Sequence, residues 1–319
     1  MAELPALGFA GLLRQLRADA GLTQEQLAEA ASLSPRSVSD LERGINLTAR
    51  KETARLLADA LRLTGAQRVL FETAARGGAL AGDLPMQLSS FVGRVQELAE
   101  LTAAIRSSAL VTVVGVGGVG KTRLALQAAA DHRPSFCDGA WLCELHRAAD
   151  EDTMAQAVLA ALRVRARPGI SLAGSVVEAL RSRSALLLLD NCEHLLSAAG
   201  ALVADILRSC SGVRVLATSR QALGVAGEQV FGLRSLSLPA PAANMEAVSA
   251  SDAVSLFVQR ASSARHGFRL SPGDAPDVVD ICRRLDGNPL AIELAAARVA
   301  VMRPAEIAEL LDERFRLLT

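Results

Sequence analysis

Eight residues in the middle of the chain have the spacing of a phosphate-binding loop. Gly115 to Thr122 reads GVGGVGKT, which fits the pattern G-x-x-x-x-G-K-[ST] between an apolar run and a helical pattern. Glycines let the backbone curl so that successive N–H groups point at phosphate oxygens, and the helix N-terminus adds partial positive charge. Lys121 would reach the β- and γ-phosphates, and the Thr122 hydroxyl would bind Mg²⁺. We predict nucleotide binding here, the alternative being a glycine-rich turn with an incidental lysine.

A carboxylate at the end of another apolar run could bind the same metal ion. Leu186 to Asp190 reads LLLLD, the pattern of a buried strand that ends in an acid, and such an acid holds Mg²⁺ through water. Many hydrolysing proteins of this class place a second acid directly after the first, but here that position is Asn191. Glu193 could polarise the attacking water, or could equally be a solvated helix residue. The sequence predicts slow ATPase activity at most and leaves open whether the protein is an enzyme.

The elements around these residues fall into three parts joined by a linker. Residues 1–76 show helical spacing in five stretches, and residues 77–89 contain three glycines and a proline, which indicates a linker. Residues 90–238 alternate apolar runs with helical segments, whereas residues 245–319 carry helical patterns only. We therefore predict a multidomain chain: an all-α domain, an α/β domain with a parallel sheet, and a small all-α subdomain. The predicted strands are Leu110–Val116, Ala140–Leu145, Ala185–Leu189, Val213–Thr218 and Val230–Leu238.

Composition sets limits on the kind of protein this is. The 319 residues are 50% hydrophobic and balance 34 basic against 34 acidic side chains, so any nucleic-acid contact must come from a local patch. The longest uncharged apolar stretch, Ala109 to Gly120, is too short for a membrane span, and no signal peptide is indicated. Five scattered cysteines without a C-x-x-C pair indicate buried, reduced thiols. We expect a cytoplasmic protein without a membrane partner.

Three further segments resemble the STAND branch of P-loop NTPases, of the NB-ARC or AP-ATPase type. The segment from Phe91 to Glu97, FVGRVQE, resembles the family's motif before the first strand, where the turn borders the adenine. Thr218-Ser219-Arg220 resembles the segment with the sensor arginine that faces the γ-phosphate. Gly287-Asn288-Pro289-Leu290 resembles the turn whose proline touches the base from a helical subdomain. By the resemblance a winged helix and a repeat array would follow, so the sequence is either a truncated form or a minimal member.

The resemblance implies ATP or ADP with Mg²⁺ as ligands. The residues it implies for the nucleotide are Val92, Gly93, Arg94, Gly115, Gly117, Gly118, Val119, Gly120, Lys121, Thr122, Arg123, Arg220 and Pro289. Thr122 and Asp190 would serve the metal, the latter through water, and Asp190 and Glu193 are the candidate catalytic residues.

The N-terminal helices resemble the XRE (Cro/C1-type) helix-turn-helix family over LTQEQLAEAASLSPRSVSDLERG, which begins at Leu22. Thr23 with Gln26 forms a capping box, and Ser34-Pro35 supplies an N-cap and a first-turn proline for a second short helix that Gly44 would close. Ser32 stands where the family usually has glycine, which would put a side chain in a left-handed conformation. By the resemblance Gln24 and Arg43 hold phosphates, and Arg36, Ser37 and Asp40 face the major groove. The candidate DNA-facing residues are Gln24, Ser34, Arg36, Ser37, Asp40 and Arg43.

Charge predicts weak DNA binding by one copy of this domain. Residues 1–76 hold ten basic and nine acidic residues, and Arg36 and Asp40 are spaced to pair with each other. The leading hypothesis is an ATP-controlled transcriptional regulator that self-associates in its ATP state. One alternative is a signalling or defence switch whose helix-turn-helix domain recruits a protein. The other is an ordinary ATPase that couples turnover to work.

Overall fold

The computed structural model describes residues 9–43, 49–75, 84–85, 87, 89–241 and 244–316. The predicted helix cap at Gly44 and most of the predicted linker over residues 77–89 lie outside the described residues.

Five short helices form the N-terminal region, as the sequence predicts. The Thr23 side chain accepts from the Gln26 N–H and the Gln26 side chain accepts from the Thr23 N–H, so the predicted capping box is present. Ser34 caps the next helix, with Pro35 in its first turn. Ser32 has a φ of +53°, the left-handed conformation expected of it. The helices are α1 (Phe9–Asp19), α2 (Gln24–Ala30), α3 (Pro35–Glu42), α4 (Lys51–Ala60) and α5 (Gly65–Ala75).

A buried carboxylate joins the first three of these helices. Glu42, at the end of α3, is only 1% exposed, and its carboxylate accepts from Arg17 Nε at 2.6 Å and from Gln24 Nε2 at 2.6 Å. Arg14 donates to the Glu42 backbone carbonyl at 2.6 Å. Because α1, α2 and α3 each contribute a partner, this network fixes the position of α3 beside the apolar core. The largest fully buried side chains of that core are Leu13, Leu27, Leu57 and Phe71.

A five-stranded parallel sheet forms the centre of the chain, which confirms the predicted α/β architecture. Its order is β2-β3-β4-β1-β5, so β1 lies between β4 and β5. The prediction for the last strand was wrong in its bounds, because the chain leaves the sheet after Gly232 and Leu236 instead packs among C-terminal helices. The strands are β1 (Leu110–Val114), β2 (Ala140–Glu144), β3 (Ala185–Asp190), β4 (Val213–Ser219) and β5 (Glu228–Gly232).

Helices cover both faces of the sheet. Along β3, Leu186 and Leu188 pack with α6 and α7, whereas Leu187 and Leu189 pack with α8, α9 and α10. This alternation explains why β3 is apolar throughout, as expected of a parallel strand buried on both sides. The covering helices are α6 (Val95–Ser107), α7 (Lys121–His132), α8 (Glu151–Ala161), α9 (Leu172–Leu180) and α10 (Leu196–Ser209).

The C-terminal helical region has an apolar core of its own. Phe257, Ile281, Ile292 and Val299 are fully buried within it. This region confirms the predicted third, all-α part of the fold. Its helices are α11 (Met245–Ala250), α12 (Asp252–Ala264), α13 (Ala275–Arg284), α14 (Pro289–Ala297) and α15 (Pro304–Arg316).

Two expectations from composition can be compared with the structure. No helix among the described residues is long and apolar enough to cross a membrane. Four of the five cysteines are buried, but Cys137 is exposed, so the expectation of buried thiols was wrong for that residue. Its exposure follows from its place in the loop between α7 and β2. Burial raises the pKa of the thiols of Cys192 and Cys282 to about 12, so these two are poor nucleophiles.

We predict that Glu42→Gln destabilises α3 by about 2 kcal/mol at neutral pH, because hydrogen bonds to a charged group are worth about 1.5–3 kcal/mol. Burial alone would raise the pKa of Glu42, but the hydrogen bonds from Arg17 and Gln24 outweigh it and lower the pKa. The stabilisation is therefore complete above the unfolded-state pKa of about 4.3 and is lost as the pH falls through the folded-state pKa.

Hydrogen exchange of peptides from α2 and α3 measures this effect in the full chain. Glu42→Gln should lose protection at pH 7, and its difference from the wild type should shrink as the pH falls through the folded-state pKa of Glu42. Glu29→Gln, on the exposed side of α2, is the control. Equal protection of the Glu42→Gln variant and the wild type at pH 7 would show that the buried pair contributes nothing to stability.

Candidate functional site

The phosphate loop runs directly from β1 into α7, as the motif predicts. Gly118 and Gly120 have φ values of +76° and +93°, which residues with a side chain rarely adopt. Lys121 Nζ donates to the carbonyls of Gly115 at 2.9 Å and Val116 at 3.1 Å. Burial lowers the pKa of Lys121, and the charge of Glu193 acts against this shift. The Lys121 ammonium group therefore lies against the curled backbone of the phosphate loop.

The two predicted metal-binding residues are in direct contact. Asp190 Oδ1, at the end of β3, accepts from the hydroxyls of Thr122 and Thr218, each at 2.6 Å. Thr218 Oγ1 in turn accepts from the backbone N–H of Asn191 at 3.0 Å. Thr218 lies on β4, next to β3 in the sheet, so neighbouring strands orient the carboxylate toward the phosphate loop.

These oxygen atoms suit Mg²⁺, which prefers hard ligands and usually keeps several waters. Among the described residues there is no group of three or more His, Cys, Asp or Glu side chains that could hold a metal ion. A magnesium ion here would therefore depend on phosphate oxygens and water for its remaining ligands. When bound, it would neutralise phosphate charge, and Thr122 and Asp190 would hold it.

Glu193 and Arg220 form an ion pair across the cleft. Arg220 Nε lies 3.3 Å from Glu193 Oε1, and the arginine is 68% exposed. Asn191 has a φ of +66°, which asparagine tolerates better than most residues, and its amide, oriented to donate, reaches Glu193 Oε1 at 3.0 Å. The candidate catalytic carboxylate thus already has two partners.

Apolar side chains form the other end of the same cleft, which has a volume of about 390 Å³. Phe91 and Val92 line it from the segment before α6, and Pro289 lines it from the first turn of α14. Val92 and Pro289, which the resemblance implies for the base, therefore line the same cleft. Leu236 and Leu256 complete this apolar end.

Gly93 and Arg94 help to hold together the segments that surround the cleft. Gly93 has a φ of +66°, and a Cβ there would collide with the Asp252 carboxylate at the start of α12. Arg94 is 4% exposed and donates from Nη2 to the carbonyls of Val119 at 2.9 Å and Arg234 at 2.8 Å. Its guanidinium therefore holds the phosphate loop to the segment that follows β5.

Asn288 contacts the backbone of the phosphate loop, although our sequence predictions left it out of the site. Its side-chain Nδ2 donates to the Gly117 carbonyl at 2.9 Å, and the Leu290 N–H donates to the Gly118 carbonyl at 3.2 Å. Asn288 also caps α14 through Oδ1. An asparagine before Pro289 is a recognisable helix N-cap, but sequence alone does not show which backbone its free amide contacts.

The candidate DNA-facing residues lie on or beside α3, and several have partners within the domain. Arg36 and Arg43 both approach the Asp40 carboxylate, at 3.9 and 3.7 Å, so the predicted Arg36–Asp40 pair is present. Ser34 Oγ accepts from the Ser37 N–H at 3.1 Å and lies 2.8 Å from the Ser37 hydroxyl. Gln24, as described above, donates to Glu42. The arginines remain largely exposed, at 90% and 62%.

Comparison with protein families agrees with this division of the chain. The profile of a helix-turn-helix domain matches residues 9–71, and that of the NB-ARC domain matches residues 92–231. The chain contains a helix-turn-helix domain and an NB-ARC domain. Both resemblances drawn from the sequence motifs are thereby confirmed. The phosphate loop, Asp190 and Arg220 all lie within the NB-ARC match.

Two relatives with longer chains match this sequence over part of their length. Over 231 residues the chain is 42% identical to the uncharacterised protein Rv0894 of Mycobacterium tuberculosis, which covers 72% of this chain and 56% of that protein. Over 218 residues it is 42% identical to Rv0890c of the same organism, provisionally named as an HTH-type transcriptional regulator, with coverage of 68% and 23%. The chain thus spans about half the length of the first relative and a quarter of the second.

One solved structure has a comparable fold. The Walker-type ATPase PABY2304 of Pyrococcus abyssi superposes with a TM-score of 0.51 at 12% identity, covering 74% of this chain and 76% of that one. At this identity the likeness concerns the fold alone. The superposed share of this chain is larger than the NB-ARC match, so the likeness in fold includes residues outside that match.

Two threonines of the sheet allow a matched test of the Asp190 contacts. Thr218 makes two hydrogen bonds, whereas the Thr112 hydroxyl on neighbouring β1 is buried without a partner. We predict that Thr218→Val lowers the free energy of unfolding by about 1–3 kcal/mol, because the Asn191 N–H loses its acceptor. Thr112→Val should be neutral or stabilising, because it removes only an unsatisfied hydroxyl. Thermal unfolding of the NB-ARC domain measures both; equal losses for the two variants would contradict the role assigned to Thr218.

Proposed function

We propose that the chain is a nucleotide-controlled transcriptional regulator: the NB-ARC domain binds ATP or ADP with Mg²⁺, and the helix-turn-helix domain binds DNA. The observation that carries the proposal is the cleft itself. Its phosphate loop, the Thr122–Asp190 contact, Arg220 and an apolar slot at Pro289 lie around one volume large enough for a small-molecule ligand.

The polar end of the cleft supports discrimination between ATP and ADP. Lys121 and Arg220 are cations that both interact with the charge of Glu193, and a γ-phosphate would compete with that carboxylate for both of them. Such differential contacts are what a ligand needs to shift a conformational equilibrium. With Asn191 in place of a second acid, and Glu193 engaged by Arg220, hydrolysis would be slow, as suits a switch.

The DNA-binding part of the proposal rests on α3 as the recognition helix. The provisional name of the relative Rv0890c, an HTH-type transcriptional regulator, supports DNA binding in general. Arg36 and Arg43 are exposed enough to reach DNA, with Arg36 and Ser37 toward base edges, and Gln24 and Arg43 toward phosphates. Asp40 lies within 4.0 Å of both arginines, which weakens the positive field of one copy. A DNA-binding regulator of this kind would act in the cytoplasm.

Self-association of the chain would supply the affinity for DNA that a single copy lacks. Two linked copies raise avidity by about 10²–10⁴ without any new contact, provided that both engage at once. We propose that the ATP state favours the assembled form and the ADP state the single copy. Symmetric half-sites would then lie about one helical turn apart, roughly 10–10.5 base pairs, or a multiple of it.

The neutralising position of Asp40 favours one competing function. A helix-turn-helix domain whose arginines pair internally could instead recruit a protein, as in a signalling or defence switch. Enrichment of DNA fragments with the purified protein distinguishes the two functions, since only the regulator should select specific sequences.

Nucleotide binding is tested with the chain's two lysines. Lys121→Ala removes a charge-assisted contact to phosphate, worth about 1.5–3 kcal/mol, so we expect ATP and ADP affinity to fall at least tenfold. Lys51→Ala, at the start of α4, is the matched control and should bind as the wild type does. Calorimetry measures both; unchanged affinity in Lys121→Ala would sink the proposal that this cleft holds the phosphates.

DNA binding is tested by titration with the protein mass followed in parallel, in ADP and in a non-hydrolysable ATP analogue. We expect tighter binding and higher mass in the analogue. Arg36→Ala should relax sequence choice, whereas Arg43→Ala should weaken all sequences alike and reduce the salt slope by about one. A protein that stays monomeric in both nucleotides and binds one half-site with equal nanomolar affinity would contradict the assembly mechanism.

A further inference from the structure

Three charged side chains join the NB-ARC sheet to the C-terminal helical region. Glu293 Oε1, on α14, accepts from Arg123 Nη1 at 3.0 Å and from Arg260 Nε at 3.0 Å. Arg123 directly follows Thr122 at the start of α7, and Arg260 lies on α12. The side chains are 32%, 29% and 15% exposed for Arg123, Glu293 and Arg260, so this clamp is shielded from water more than a surface ion pair is.

The clamp (Arg123, Arg260 and Glu293) also holds the segment that leads into the apolar slot. Arg123 Nη2 donates to the carbonyls of Ser89 at 2.9 Å and Ser90 at 3.0 Å. Arg260 Nη2 donates to the same Ser90 carbonyl at 3.0 Å. Phe91 and Val92, which line the cleft, follow this segment immediately. The three charged side chains therefore connect three parts of the cleft: the start of α7, the segment before α6, and α14.

Within the clamp, Arg123 and Arg260 both need the Glu293 carboxylate as their acceptor. Both arginines meet at one oxygen of its carboxylate, so without that charge two guanidinium groups would face each other uncompensated. Glu293 also lies one helical turn beyond Pro289, on the helix whose first turn contacts Gly117 and Gly118. Helix α14 is thus attached at two points, the phosphate loop and the clamp.

We propose that Glu293 is a positioning residue that, through Arg123 and Arg260, keeps α14 closed over the bound nucleotide and sets the rate of its release. The inference rests on the proposed nucleotide-binding function. Without the clamp, α14 keeps its place in the C-terminal core but loses one of its two attachments to the NB-ARC domain, so Pro289 is held less firmly against the base. Most changes to a binding interface act on dissociation rather than association.

The test measures release of a fluorescent methylanthraniloyl-ADP from the full chain by stopped flow. Glu293→Gln keeps the side-chain shape but removes the charge, and we expect release to be about tenfold faster with association nearly unchanged. Arg260→Gln loses one of the two arginine contacts, so it should release the nucleotide about threefold faster than the wild type. Glu306→Gln, which breaks an exposed ion pair between the first turn of α15 and the preceding residue Arg303, is the control and should release as the wild type does.

Salt separates a charge clamp from a general loss of packing. Release from the wild type should accelerate as ionic strength rises, whereas release from Glu293→Gln should respond less, because the clamp is already absent and only the phosphate contacts remain to be screened. Wild-type release rates and salt response in Glu293→Gln would overturn the proposal. If Glu293→Gln does not fold, Arg260→Gln decides by the same criteria.

A second measurement separates failure of the clamp from failure of nucleotide binding. Without nucleotide, thermolysin should cut the segment between β5 and α11 faster in Glu293→Gln and Arg260→Gln than in the wild type or Glu306→Gln. If the wild type binds no nucleotide, the proposed function is wrong and this measurement shows whether the clamp still holds the helical region. Equal cleavage in all four proteins would overturn the clamp.

Discussion

The closed cleft depends on the contact between the first turn of α14 and the backbone of the phosphate loop. Gly118 makes this contact possible in two ways. Its φ of +76° curls the loop, and a Cβ there would lie 2.8 Å from Asn288 Oδ1 and 3.0 Å from Leu290 Cβ. The missing side chain at Gly118 therefore admits the first turn of α14. A motif usually explained by phosphate binding also specifies how closely the helical region approaches.

Carboxylates that bridge two partners recur wherever separate elements must keep a fixed position. Each acid in this pattern satisfies two donors at once, so a change to the acid leaves two donors without their acceptor. The degree of burial separates their roles: the buried Glu42 fixes a core, whereas the more exposed pairs lie where a ligand or DNA could take one partner. The bridges are Glu42 with Arg17 and Gln24, Asp190 with Thr122 and Thr218, Glu193 with Asn191 and Arg220, Glu293 with Arg123 and Arg260, and Asp40 with Arg36 and Arg43.

Local patterns in the sequence were sufficient for much of the fold and for the polar half of the site. Caps and helical periodicity predicted the five N-terminal helices, and parallel strands bring Asp190 to the same sheet edge as Thr122, as expected. The contacts of Asn288 and Glu293 were not predictable, because they depend on how the helical region packs against the loop. The end of β5 was misplaced for the same reason: the apolar residues after Gly232 continue the pattern of a strand but pack between elements.

The order of strands has a consequence for synthesis on the ribosome. β1, which carries the phosphate loop, pairs only with β4 and β5 in the described sheet, and Leu110 opposes Val215 and Glu228, more than 100 residues later. No strand partner for β1 exists until most of the NB-ARC domain has been made, whereas α1–α5 find all their partners in the shared core within the first 75 residues. Domains generally fold as units from the N-terminus, and nonlocal parallel pairing is slow. The helix-turn-helix domain would thus be folded while the strand that carries the phosphate loop in the same nascent chain is still unpaired.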